Sequence, residues 1–185
     1  MPRQRRPRRA SGFTLIEMAV VALIFGVLAA IAIPQYIKSM ETSYSTNACT
    51  IMKRIGAANR MYAMDHDGHY ADGNTSFNAW SNRISNAMNS AGCVGAAPWP
   101  ASDLIGCKYL AKQNWDVDPY DYFAGPLSCP IYSGIATQTA CNHRNSIGNP
   151  SIFYFNWTYG LDNNGLVYVY YGGSFGVPLG VPVCP

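Results

Sequence analysis

From Phe13 to Ile33 the chain is apolar at every position but Thr14, Glu17 and Gly26, and Glu17 is its one charge. At about 1.5 Å per residue a helix over this stretch is roughly 30 Å long, the thickness of a bilayer's hydrocarbon core. A helix that is apolar all round has no face to offer to water, so lipid or protein must cover it. The five arginines before it, Arg3, Arg5, Arg6, Arg8 and Arg9, are expected to stay cytoplasmic, which sends the rest of the chain across the membrane. A secretory signal peptide shares the basic start. Its apolar run is shorter, however, and ends at a small-x-small cleavage site, whereas this run continues into Ile33-Pro34-Gln35-Tyr36.

Charge narrows the function classes. The net charge is +3, but removing the five arginines of residues 1–12 from the 13 basic residues leaves eight against ten acidic ones. The folded part therefore has no basic surface of the kind a nucleic-acid reader needs, and no nucleic-acid partner is expected. The chain has 185 residues, 49% hydrophobic and 12% charged, enough for one ordinary domain with a core of its own beside the membrane helix.

Glu17 admits two readings from the residues alone. It is either an interfacial charge favoured by the positive end of the helix dipole, or a carboxylate that awaits a partner cation in an assembly. The motif around it points to the second. Gly12-Phe13-Thr14-Leu15-Ile16-Glu17-Met18, after a short basic leader, resembles the prepilin motif of type IV pilins and type II secretion pseudopilins, and Ala29-Ala30-Ile31-Ala32-Ile33-Pro34-Gln35-Tyr36 resembles its continuation in type IVa-like pilins. The resemblance implies cleavage between Gly12 and Phe13 by a prepilin peptidase of the inner membrane, and N-methylation of Phe13. It also implies that Glu17 pairs with the Phe13 amine of a neighbouring subunit. The physical logic agrees. Gly12 lets a protease approach the backbone, methylation keeps the new amine's charge, and in a low-dielectric filament core a paired carboxylate is tolerated where an unpaired one is penalised. Gly26 and Pro34 lie within the helix, and Pro34, which lacks a backbone donor, is expected to kink or loosen it.

Beyond Pro34, Ile37, Met40, Tyr44, Ala48, Ile51, Ile55, Ala58 and Tyr62 recur at spacings of three and four, which predicts an amphipathic helix ending near Asp65, with Lys38, Glu41, Lys53, Arg54 and Arg60 mostly off its buried stripe. Residues 50–73 resemble a second pattern found in prepilin-type proteins with large heads, here carried by Lys53, Ile55, Gly56, Ala58, Met61, Tyr62, Asp65, Gly68 and Tyr70. The expected organisation is a leader over 1–12, a transmembrane or filament-core helix over 13–34, an amphipathic helix over 35–65 and a globular head over 66–185. The expected fold class is α+β, a long N-terminal helix packed on a small antiparallel sheet with disulfide-stapled loops.

In the head, residues 65–150 are rich in Asn, Ser, Gly and Pro and read as loops with a short helix near Asn78–Met88. Residues 151–159 and 166–171 read as strands from their β-branched and aromatic content, with residues 160–165 as the turn of a hairpin. The tail from Gly172 is expected to wrap the sheet. The six cysteines, Cys49, Cys93, Cys107, Cys129, Cys141 and Cys184, are even in number and lack zinc-finger spacing, so they read as disulfides in an oxidising compartment. Sequence does not choose among the pairings. The arrangement that closes the shortest loops joins Cys93 to Cys107 and Cys129 to Cys141, leaving Cys49 for Cys184.

No catalytic constellation is present, because no nucleophile-base motif, phosphate loop or zinc-protease motif occurs, and the chain is not expected to be an enzyme. Asp65-His66-Asp67-Gly68-His69 and Asp162-Asn163-Asn164-Gly165 read as turns before they read as metal sites, and Asp116, Asp118 and Asp121 match no calcium motif. No metal and no cofactor is expected. The resemblance implies a structural subunit of a type IV pilus-like filament serving adhesion, motility or DNA uptake. Its alternatives are a type II secretion pseudopilin and a low-copy minor pilin or adhesin module. The partners it implies are further copies of the chain, the prepilin peptidase, an inner-membrane assembly platform, minor pilins, and membrane lipid before assembly. The location it implies is the inner membrane for the precursor, then a periplasmic or extracellular filament.

Overall fold

The computed structural model describes residues 13–72, 83–84, 86–115, 119–125, 138–144, 157–171, 174–175 and 182–184. Helix α1 spans Leu15–Asp65 and has Pro34 inside it. It ends where the chain turns left-handed, at Asp67 (φ 52°) and Gly68 (φ 84°), and the Gly68 N–H donates back to the Ala63 carbonyl at 2.8 Å. Residues 1–40 and 41–185 form two compact units.

In the second unit, residues 41–65 of α1 pack against an antiparallel sheet. Among the described residues the sheet has six strands in the order β1 to β6: Arg83–Ile84, Tyr120–Ala124, Gln138–Arg144, Trp157–Asp162, Val167–Tyr171 and Ser174–Phe175. Each strand pairs with the next in sequence. The α+β class expected from the sequence is the one observed. A 3-10 helix at Asn86–Ser90 and a short helix α2 at Asp103–Gly106 lie in the connection before β2.

The core joins Ala48, Met52, Ile55 and Tyr62 of α1 to Tyr120, Tyr122, Trp157, Tyr159 and Leu161 of the sheet. Gly56 permits the close approach, since a Cβ there would run into Leu161 Cδ2. The buried face of α1 also includes Glu41, Ser45, Cys49 and Asn59, so it is turned by about one residue from the stripe that apolar spacing predicts. Those side chains are polar or small yet sit inside because the sheet and loops supply their hydrogen-bond partners.

Four sequence expectations need correcting. Residues 120–124 and 138–144 are strands, although their region read as loops. Phe123 and Cys141 form a second buried cluster apart from the main core, while Tyr122 and Ala124 lie in that core. A sheet covered on both faces has no polar–apolar alternation to read. Arg83–Ile84 is strand and Asn86–Ser90 is 3-10 rather than one α-helix near Asn78–Met88; residues 78–82 lie outside the described residues. The hairpin turns later than expected, because Gly160 and Leu161 remain in β4. The Asp162 carboxylate fixes the turn by accepting the N–H of Asn164 at 2.9 Å and of Leu166 at 2.7 Å. Finally, Glu41 is buried, not on the solvent side. The earlier part of the first predicted hairpin strand, 151–156, is outside the described residues.

Candidate functional site

The first unit holds the apolar helix. Thr14 and Glu17 close its N-terminus as a reciprocal cap: Glu17 Oε2 accepts the Thr14 N–H and the Thr14 hydroxyl, each at 2.8 Å, and Thr14 Oγ1 accepts the Glu17 N–H at 3.3 Å. Two of the helix's unpaired N–H groups are thereby satisfied. The signal for this was in the sequence, since Thr14 three residues before Glu17 and ahead of an apolar run is the capping-box pattern. Around the helix, Leu15 is 88% exposed, Leu23 69% and Phe25 68%, with Val20, Ile24, Leu28 and Ile31 also open. Leaving such side chains in water costs about 1.5–3 kcal/mol each, and the sum is comparable to or larger than the roughly 5–15 kcal/mol that holds a folded domain together. Water is therefore not the medium for this segment, and the helix is long and apolar enough to cross a membrane. Among the described residues a Cβ at Gly26 would meet nothing within 4 Å.

In the second unit, three polar knots fix α1 to its surroundings. Arg144, at the end of β3, grips Glu41 with two hydrogen bonds, Nε to Oε1 at 2.9 Å and Nη2 to Oε2 at 3.0 Å. The guanidinium also donates to the Pro119 carbonyl and stands over the Tyr120 ring, 5.6 Å from its centroid. Tyr120 donates to Glu41 and accepts from Trp157 Nε1. Burial and the Glu41 charge together push the Tyr120 hydroxyl far above the usual phenol range. Beside this, Ser45 Oγ and the Tyr159 hydroxyl are 2.7 Å apart, and Tyr159 donates to the Pro182 carbonyl of the tail.

The second knot is Asn59, whose amide donates to the carbonyls of Ala71 and Thr139 and accepts the Ala71 N–H. The third is Asp103, which is fully buried. It accepts the Tyr62 hydroxyl at 2.9 Å and the N–H groups of Val94 and Gly95. Burial, then the Asp103 carboxylate, push the Tyr62 hydroxyl well above its usual range.

The cysteines are joined across these elements. Cys49 of α1 is bonded to Cys184 of the tail, and Cys93 is bonded to Cys107 across α2. Cys141 is also in a disulfide; Cys129, its expected partner, lies outside the described residues, as does Gly12. The helix-end histidines each lie against an aromatic ring. His66 stacks on Tyr62 with centroids 3.9 Å apart, and His69 stacks on Trp99 at 5.0 Å. No cluster of three metal-ligating side chains occurs among the described residues.

Residues 7–33 match the family model described as the prokaryotic N-terminal methylation motif. Over 115 residues the chain is 35% identical to the type II secretion system core protein G of Aeromonas hydrophila, a match covering 61% of this chain and 72% of that protein. The chain belongs to the type IV pilin and pseudopilin family. Other members of the family match over shorter stretches. The type IV major pilin protein PilA of Myxococcus xanthus is 42% identical over 64 residues, 35% of this chain and 29% of that protein. The core protein G of Pseudomonas aeruginosa is 44% identical over 59 residues, 32% of this chain and 42% of that protein. The chain thus spans less than half the length of both. No solved structure matches it.

Proposed function

We propose that this chain is a filament subunit, made as a membrane-held precursor and polymerised through its N-terminal helix. The uncovered apolar helix supports this reading most directly. It demands a covering medium, lipid first and then other copies of the same helix, and it sits within the stretch that matches the methylation motif. In this reading a prepilin peptidase cuts between Gly12 and Phe13, Phe13 is N-methylated, and Glu17 pairs with the Phe13 amine of the next subunit. The cap shapes that pairing. Both hydrogen bonds from Thr14 fall on Oε2, so the cap holds the carboxylate at the helix start while leaving its other oxygen to receive a cation. Gly26 and Pro34 are the places where the helix adjusts on assembly. The knotted, disulfide-bonded second unit is the head displayed on the filament, outside the inner membrane, and minor pilins and an assembly platform are its further partners.

A surface pilus is the first form of this proposal. A secretion pseudopilus is the second, favoured by the reach of the match to the Aeromonas core protein G. Shearing filaments from native cells, then measuring the intact mass and N-terminus of their main protein, tests both. A dominant species starting at methylated Phe13 supports the pilus. Processed protein that stays in the envelope supports the pseudopilus, and chains that retain residues 1–12 under all conditions refute the proposal.

A further inference from the structure

Cys93 and Cys107 close a loop that one buried side chain already holds shut. Asp103 is the first residue of α2 and is fully buried. Its carboxyl group reaches the chain just after Cys93, where Oδ1 accepts the Val94 N–H at 3.1 Å and Oδ2 the Gly95 N–H at 2.9 Å. Its main-chain carbonyl reaches the other way and accepts the Cys107 N–H at 2.8 Å. One residue is therefore bonded to the neighbourhoods of both cysteines. The two backbones also meet beside them, since a Cβ on Gly106 would run into the Gly92 carbonyl and stand 3.0 Å from the Cys93 nitrogen. A further donor comes from α1, whose Tyr62 hydroxyl gives its hydrogen to Asp103 Oδ2 at 2.9 Å. A buried carboxyl group stripped of such donors carries a desolvation penalty, so the clamp resists opening. None of these contacts involves either sulfur. The two bridges also differ in access: Cys93 is exposed, whereas Cys49 of the Cys49–Cys184 bridge is 1% exposed.

We propose that Asp103 is a positioning residue for oxidation: it holds Cys93 beside Cys107 before their bond exists, and so selects this pair from the many pairings that six cysteines allow. The 14 residues between them would otherwise oppose closure with their chain entropy, and the clamp removes that opposition in advance. Tyr62 must be seated before the carboxyl group has its full set of donors, so the clamp is complete once α1 has packed. Cys93, being exposed, is the sulfur that meets the oxidant. With oxidised glutathione, the Cys93 thiolate attacks one glutathione sulfur and expels the other as a thiolate. The Cys107 thiolate then attacks the Cys93 sulfur and expels the remaining glutathione. Both cysteines together lose two protons and two electrons, and one glutathione disulfide becomes two thiols. All of these groups lie in the second unit, so the clamp acts in the same way whether the chain is built into a pilus or a pseudopilus.

Equilibrating the full-length chain in detergent with reduced and oxidised glutathione, quenching by alkylation and quantifying each bridge by peptide mass spectrometry gives the effective concentration of each thiol pair. Asp103→Asn keeps the shape of the side chain but sets an amide donor against the donors that the carboxyl group accepts. It is expected to lower the Cys93–Cys107 value by about tenfold or more, the equivalent of one lost hydrogen bond, while the Cys49–Cys184 value changes by less than about twofold. An unchanged Cys93–Cys107 value overturns the proposal. An equal fall in both bridges overturns it too, because Asp103 would then support the whole head and not this pair. A second measurement leaves Asp103 in place. In Cys93→Ser with Cys107→Ser the bridge is gone, and the Val94 and Gly95 amides are expected to exchange with deuterium about tenfold or more slowly than in the urea-unfolded chain. Exchange as fast as in the unfolded chain would show that the disulfide holds the loop, and would overturn the proposal.

Discussion

Replacing Glu41 by Ala would remove the two-pronged anionic partner of a largely buried cation, and its cost can be worked from the contacts. The Arg144 and Glu41 side chains are 14% and 9% exposed. Glu41 supplies both carboxylate oxygens to the guanidinium, and the Pro119 carbonyl and the Tyr120 ring are among its other neighbours. Removing one partner of a buried pair costs about 3–5 kcal/mol, because the other charge stays desolvated. Slight exposure and the surviving contacts, Pro119 and the Tyr120 ring among them, put the expected cost near the lower end, about 3 kcal/mol. For a chain of this size that corresponds to a fall in melting temperature of roughly 6–12 °C. Glu41→Leu combined with Arg144→Met removes both charges at nearly constant volume and is expected to cost less than about 1 kcal/mol. Urea unfolding of the processed protein in detergent, followed through the buried Trp115 and Trp157, measures both variants. A single-variant cost under about 1 kcal/mol would mean that the pair is effectively solvated. A double variant as damaged as the single would show that the charges themselves, not their pairing, hold α1 to β3.

Glu17→Val is expected to leave processing at Phe13 intact and to abolish filaments, read by electron microscopy of sheared material; normal filaments would remove the role given to this carboxylate. Gly56→Val drives a side chain into Leu161 and is expected to cost about 1–3 kcal/mol as an overpacked core, seen as a lower urea midpoint. Burial holds His143 below its ordinary value, partly offset by Asp121. The folded state therefore binds this proton less readily than the unfolded one, so stability is complete above the unfolded pKa of about 6.5 and falls as pH drops through and below it. His143→Gln should flatten that part of the profile, and an unchanged profile would place the acid sensitivity elsewhere. Cys49→Ala with Cys184→Ala frees the tail from α1 and is expected to cost about 2–5 kcal/mol, with Tyr159 losing its Pro182 partner first by hydrogen exchange at the tail.

The sequence was enough for the parts of this protein whose physics is local. An apolar run of bilayer length, a carboxylate near its start, a glycine before it and a helix stop at Asp67-Gly68 are all statements about neighbouring residues, and periodicity or residue type reveals them. Even the Thr14–Glu17 cap was present as a three-residue spacing. The tertiary structure decided everything that depends on what a side chain meets. Glu41, Ser45 and Asn59 look like solvent-side residues of an amphipathic helix until Arg144, Tyr159 and Thr139 arrive from strands more than 75 residues away in sequence. Strands β2 and β3 gave no alternation because both of their faces are covered. Met61 and Met64 could as well have been core. Only the packing of the head shows that they are exposed, because burial is set by which surfaces fold together and not by the hydrophobicity of any one of them.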